Sequence, residues 1–229
     1  FNPSGYGQQT ALWVPRIASL GHEVAIGAFT GLAGTRTQWQ GFPVYPGGMN
    51  PYGADVIAGH ARDFGADLVI TLMDIWGLGQ QGWDALASLN AAAWMPIDCS
   101  PLSVLDREAL DASRVRPVAM SQSGRQTLGM AGYDPLYVPH GVDTSVFAPQ
   151  DRAKCRDLLN IPREAFVVGI NSANADAVRK AWPEQMAAFA ILYSRHPDSI
   201  LLAHTFPHGP GMDLGRLAAR LGISHALRF

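Results

Sequence analysis

The feature that most constrains this chain is the run Asp67-Leu68-Val69-Ile70-Thr71-Leu72, which is apolar without any period-two alternation. A strand of that kind needs cover on both faces, as in a parallel sheet. Comparable runs follow at Ala92-Ala93-Trp94-Met95-Pro96-Ile97, Pro117-Val118-Ala119-Met120 and Leu136-Tyr137-Val138. Helical patterns separate them: Trp83 to Leu89, Val104 to Leu110, and a stretch that Ser121 can cap and that runs to Gly132. Short buried strands alternating with helices predict right-handed βαβ units and a parallel sheet.

Upstream, Leu12, Val14, Ile17 and Leu20 mark a helix ended by Gly21, and His22 to Phe29 reads as a buried strand. The Gly-, Thr- and Pro-rich stretch Thr30 to Pro51 reads as loop with a short strand at Phe42-Pro43-Val44-Tyr45, ahead of a helix from Ala54 to Phe64. At Val138 to Pro149, Pro, Gly and an Asp-Thr turn break the series. The rhythm then restarts: helix Asp151 to Leu159, strand Phe166 to Ile170, helix Pro183 to Ser194, strand Ile200 to Ala203, helix Leu214 to Leu221, and an apolar run from Ala226 to Phe229. The expectation is an α/β chain of two domains, residues 1–148 and 149–229. The first residue is Phe, no strand precedes Asn2-Pro3-Ser4-Gly5, and the second series holds only two or three strands. The chain is therefore expected to be trimmed at both ends, with its second domain incomplete.

Composition narrows the function. Hydrophobic residues make up 48% and charged residues 16%, as in a packed interior. A formal net charge of −2 supplies no global field for nucleic acid or an anionic membrane. Cys99 and Cys155 form neither a disulfide framework nor a metal-ligand pair, and are expected to be buried or half-buried thiols. No apolar run reaches membrane-spanning length, so a cytoplasmic protein is the expectation.

In open parallel sheets ligands bind beyond the carboxyl ends of the strands. In the first series that rule selects Gly5 and Gly7, where a helix opens and a backbone can approach an anion. It also selects Asp74 and Asp98, each past a strand and suited to a sugar hydroxyl, a base role or a plain cap. In the second series it selects the loop Asn171 to Lys180. Arg179 and Lys180 there oppose the dipole of the helix they precede, which a bound diphosphate explains and solvated charges also allow. His204 follows the next strand and suits a base or ribose contact, or a structural hydrogen bond. Trp76, Trp83 and Trp94 read as core or cleft lining.

These residues carry a resemblance. Val138, Pro139, Gly141, Val142, Asp143, Phe147 and Pro149 match the segment V-P-N-G-V-D-x-x-x-F-x-P of family 4 retaining glycosyltransferases, with His140 in place of the usual Asn. Lys180 falls at the lysine of that family's G-R-x-x-x-x-K-G loop, followed by Ala188-Phe189 at the family's helical spacing, while Asn174 or Ala175 stands where its Arg belongs. Gly5 and Gly7 resemble the family's first-domain glycine loop, and Ser121-Gln122-Ser123-Gly124 its segment ahead of the crossover.

The resemblance implies a GT-B fold, two Rossmann-like domains facing a cleft, with acceptor on the first and donor on the second. It implies transfer of a sugar from a nucleoside-diphosphate-sugar to an acceptor hydroxyl with retained configuration. The enzyme would be a hexosyltransferase needing no metal and no cofactor beyond the donor substrate, and domain closure would exclude water. Lys180, with Arg179 and the backbone at Gly5 and Gly7, would hold the departing diphosphate. Asp98 takes the place of a family His, and His140 and His204 would touch ligand. The acidic pair that holds the donor sugar is expected beyond Phe229. The alternatives are an epimerase or phosphorylase of the same fold, or a non-catalytic carbohydrate-binding scaffold. Thr10 stands where the third Gly of a dinucleotide fingerprint belongs, which disfavours an NAD-binding protein.

Overall fold

The computed structural model describes residues 4–29, 31–176 and 178–229; Asn2, Pro3, Thr30 and Ala177, all assigned to loops from sequence, lie outside the described residues. The chain divides into two compact units, Phe1–Phe147 and Ala148–Phe229.

The first unit opens with α1 (Gly5–Ser19), whose start is fixed by Ser4 Oγ accepting from the Gly7 N–H at 3.1 Å. β1 (Ile26–Gly27), β2 (Thr37–Trp39) and β3 (Phe42–Tyr45) form a sheet in the order β1-β3-β2, with β1 parallel and β2 antiparallel to β3. After α2 (Ile57–Phe64), which Gly65 ends at φ +72°, come β4 (Val69–Leu72), α3 (Gly79–Ala87), β5 (Ala91–Met95), α4 (Val104–Ser113), β6 (Arg116–Ala119), α5 (Gln122–Met130) and β7 (Leu136–Tyr137). These four strands run parallel in the order β4-β5-β6-β7. β5 lies between two partners with all of its residues buried, which is why its sequence carries no polar alternation. One face packs Leu86, Met95, Leu110 and Leu128; the other packs Ala92, Trp94 and Val118 against Trp13 of α1.

In the second unit, α6 (Arg152–Leu158) is capped by Asp151 and leads through β8 (Phe166–Asn171), α7 (Trp182–Arg195), β9 (Ser199–His204) and α8 (Leu214–Arg220) to β10 (Leu227–Arg228). The sheet is parallel in the order β10-β9-β8, over a core of Trp182, Met186, Phe189, Leu201, Leu214 and Ile223. Parallel α/β layering is thus what the chain adopts in both units.

Three expectations need correction. The strand expected over residues 22–29 contracts to Ile26–Gly27, because β1 has a ladder partner on one side only. The stretch taken as mostly loop contains a hairpin: β2 and β3 are joined by Gln40 and Gly41 at φ +50° and +85°, the left-handed pair that matches strand twist in a two-residue turn. Cys99 is exposed, on the loop past Asp98, while Cys155 is half-buried.

Candidate functional site

Parallel strands deliver their following loops to one edge, and in the first unit that edge is acidic. Asp74 lies two residues past β4 and is half-buried; Asp98 lies three past β5 and is exposed. The first turn of α1 reaches over to them. The Tyr6 hydroxyl donates to Asp74 Oδ2 at 2.9 Å. Burial pushes the Tyr6 pKa well above its usual range, the Asp74 hydrogen bond and charge add to this, and the charge of Asp98 contributes as well. Two carboxylates therefore act on one hydroxyl. Asp106 of α4, buried and bonded to Ser103 Oγ at 2.7 Å, feels both of them too. Asp74 spends one oxygen on Tyr6 and keeps acceptor capacity for a second hydroxyl.

Gly5 and Gly7 belong to the same turn. The Gly7 N–H is already accepted by Ser4, whereas a Cβ built on Gly5 meets nothing within 4 Å. Gly5 therefore stands open to an approaching group, and Gly7 serves chiefly the helix start.

The crossover after β7 is tied back to the same helix. Gln9 Nε2 donates to Gly141 O at 2.8 Å, and Gly141 N–H donates to Gln9 Oε1 at 3.1 Å. Trp94 of β5 donates from Nε1 to Val138 O at 2.7 Å and meets the His140 ring edge-on, centroids 5.1 Å apart. Burial lowers the His140 pKa, so its imidazole is neutral at pH 7 and offers a hydrogen bond rather than a charge. Farther on, Asp143 Oδ1 accepts from the N–H and hydroxyl of Ser145 at 2.9 and 2.6 Å, and Phe147 closes the turn with its N–H on Asp143 O. Sequence patterns passed over Tyr6 and Gln9. The Gly-Tyr-Gly context was the one available signal for Tyr6; Gln9 carried none.

In the second unit the loop from β8 to α7 gathers Asn174, Arg179 and Lys180. Asp176 shapes it by accepting at Oδ1 from the Val178 and Arg179 N–H groups, each at 2.9 Å, and those bonds hold its pKa down. Arg179 is exposed and Lys180 half-buried. Ala181 then caps α7 in the left-handed region, φ +50°, with no side-chain acceptor for the first N–H groups of a 14-residue helix. Two cations and an uncapped helix start therefore share one loop, an arrangement suited to an anion.

Asn174 also ties the fold together. It is 3% exposed, its Nδ2 donates to Phe206 O at 3.0 Å and Met212 O at 2.7 Å, and its own carbonyl accepts from Gly211 N–H. The structure places it as a stitch for the loop after β9. His204 ends β9 exposed, with Nδ1 3.1 Å from Asn171 Oδ1 on the neighbouring strand. Asp74, Asp98 and His140 thus belong to the first unit; Asn174, Arg179, Lys180 and His204 belong to the second.

Among the described residues, no group of three or more His, Cys, Asp or Glu side chains could hold a metal ion. No described helix is long and apolar enough to cross a membrane.

No family model matches the chain, and no curated protein matches it. Among solved structures, the E. coli trehalose-6-phosphate protein bound with UDP-2-fluoro glucose, a GT-B glycosyltransferase, superposes with a TM-score of 0.57 at 9% identity, over 99% of this chain and 70% of its own. At that identity the likeness is one of fold. A pyridoxal 5'-phosphate-dependent aspartate racemase reaches a TM-score of 0.24 at 12% identity, over 66% of this chain and 44% of its own, which is too low to carry an argument.

Proposed function

We propose that this chain belongs to a retaining glycosyltransferase of family 4 type that moves a sugar from a nucleoside-diphosphate-sugar to an acceptor hydroxyl. The observation that carries the reading is the β8–α7 loop, where Arg179 and Lys180 stand beside the uncapped start of α7. A diphosphate satisfies all three: it accepts charge-assisted hydrogen bonds from both side chains and lies at the positive end of the helix dipole. Stabilising charge as it develops on a departing diphosphate is the kind of effect that is largest in such sites. No metal is needed on this reading. The fold neighbour, solved with UDP-2-fluoro glucose bound, supports a nucleotide sugar as donor.

On the same reading residues 149–229 hold the donor and residues 1–148 the acceptor. Asp74, oriented by Tyr6, accepts a hydrogen bond from an acceptor hydroxyl, and Asp98 is assigned to the transferring sugar or to the proton that the acceptor hydroxyl gives up. His140, kept neutral, offers a further hydrogen bond at this edge. Gly5 leaves room for a ligand oxygen at the start of α1, and His204 contributes from the end of β9. A cytoplasmic location fits a nucleotide-sugar donor.

The test is calorimetry with UDP- and GDP-sugars on the parent and on Lys180→Ala. A charged hydrogen bond contributes about 1.5–3 kcal/mol, so donor affinity is expected to fall roughly 10- to 100-fold in the variant. Equal affinity in the two proteins sinks the role given to Lys180.

A further inference from the structure

The turn just past β4 divides its side chains between core and solvent. Ile75–Leu78 forms a single 3₁₀ turn, and its period of three puts positions 75 and 78 on the same side. Ile75 and Leu78 are buried there, in the core that also holds Leu86 and Met95. Trp76 lies on the other side and is 46% exposed. Large aromatic side chains are usually drawn into a core, where the indole N–H finds an acceptor. Trp83 and Trp94 follow that rule, donating from Nε1 to Ile75 O at 3.0 Å and to Val138 O at 2.7 Å. Trp76 does not: among the described residues its indole has neither a hydrogen-bond partner nor a ring beside it.

The surroundings of Trp76 are polar and of one sign. Asp74, two residues ahead of it, accepts from the Tyr6 hydroxyl at 2.9 Å. Tyr52, 40% exposed on the loop past β3, lies against Gly77, where an added Cβ would sit 3.2 Å from its ring. Asp74, Asp98 and Tyr52 all act on the Tyr6 hydroxyl, so they stand around one stretch of the sheet's carboxyl edge. Among the described residues neither Asp74 nor Asp98 enters an ion pair. The edge therefore offers carboxylate oxygens, phenol hydroxyls and an open indole, without a cation. A sugar ring matches that set. Its hydroxyls donate to carboxylates, and the C–H bonds of one face lie against the electron-rich face of an indole. An acceptor carrying phosphate would instead bring its negative charge to unpaired carboxylates, which repel it.

We propose that the acceptor is an uncharged sugar ring, a pyranoside, which stacks on Trp76 and places its hydroxyls on Asp74 and Asp98, so that Trp76 sets acceptor specificity. This rests on the sugar-transfer reading above and names the acceptor class that reading leaves open. Trp76 supplies the contact area that selects a ring over an open-chain polyol. The carboxylates select a hydroxyl-rich ring over a flat apolar one and turn away an anion.

The test compares acceptors on the full-length protein and on its Trp76→Ala and Trp76→Phe variants. Methyl pyranosides are set against glucitol, which keeps the hydroxyls without the ring, benzyl alcohol, which keeps a flat apolar ring, and glucose 6-phosphate, which adds an anion. Initial rates with a UDP- or GDP-sugar give kcat and KM, and saturation-transfer NMR without donor reads pyranoside binding alone. The expected result is a KM for at least one methyl pyranoside about ten-fold or more below those of the comparators, lost in Trp76→Ala through KM rather than kcat and largely kept in Trp76→Phe. Glucitol kinetics stay at the parent values in Trp76→Ala, which a merely structural role for Trp76 would not leave in place. The proposal is overturned if Trp76→Ala raises KM for pyranosides and glucitol alike, if the parent prefers the phosphate or benzyl alcohol, or if pyranoside binding survives Trp76→Ala unchanged. Pyranoside binding that needs Trp76, without turnover of either donor, keeps the ring site and removes the transferase reading instead.

Discussion

At the scale of single residues, the acidic edge of the first unit rests on a contact between positions 68 residues apart in sequence, Tyr6 to Asp74. A hydrogen bond to a charged group contributes about 1.5–3 kcal/mol when dry, and less here because both partners are only half-buried. Tyr6→Phe is expected to lower unfolding stability by about 1 kcal/mol and to reduce kcat/KM for acceptor several-fold, while donor affinity measured by calorimetry stays at the parent value. Loss of donor affinity instead would put Asp74 on the donor. Asp106 gives a pH signature. Burial raises its pKa, the Ser103 hydrogen bond opposes this, and the charges of Asp74 and Asp98 add to it. A folded pKa above the unfolded value means the native chain binds that proton more tightly. Its favourable contribution is then full below about pH 4 and is lost as pH rises past the folded value. Asp106→Asn removes the titration and keeps the residue-106 N–H on Ser103. Relative to the parent, the variant is expected to gain stability as pH rises from about 4 to 7, read from urea midpoints; a flat difference removes the assigned cause. Asp74 and Asp98 were visible in the sequence because an Asp just past a buried strand is a local signal. Tyr6 and Gln9 were not, because their partners lie in distant loops. Asn174 shows the reverse case: a polar residue in a candidate binding loop whose amide nitrogen the fold itself uses.

At the scale of elements, strands and helices with a continuous apolar run or a capping residue were legible. Ser121 and Asp151 each accept from the N–H three residues on, as N-caps do. What escaped was set by pairing rather than by propensity. β2 is short and mostly exposed, so only the Gln40-Gly41 turn marked it. β1 was overestimated because its apolar run exceeds the two residues that β3 pairs. The loop after β9 owes its form to close packing on Asn174. A Cβ added at Gly209 would lie 2.2 Å from the Asn174 carbonyl oxygen, closer than any real contact. Gly209→Ala is therefore expected to destabilise the second unit by about 1–3 kcal/mol, visible as a lowered Tm. An unchanged Tm would mean that this loop yields without cost and that Asn174 does not fix it.

At the scale of the whole chain, two successive series of buried parallel strands were readable because such strands abandon polar alternation, and both units adopt that layering. The likeness to a GT-B glycosyltransferase at 9% identity reflects the same layering rather than shared side chains. The function proposed therefore stands on the residues, above all on the two cations ahead of α7. The most direct measurement is proton NMR of the product formed from a UDP- or GDP-sugar and a hydroxyl acceptor by the full-length protein, followed over time for the parent and for Lys180→Ala. The predicted result is a glycoside with the anomeric configuration of the donor, formed as nucleoside diphosphate is released, and formed at least about ten-fold more slowly by the variant. A product of inverted configuration, or turnover that Lys180→Ala leaves untouched, would contradict it.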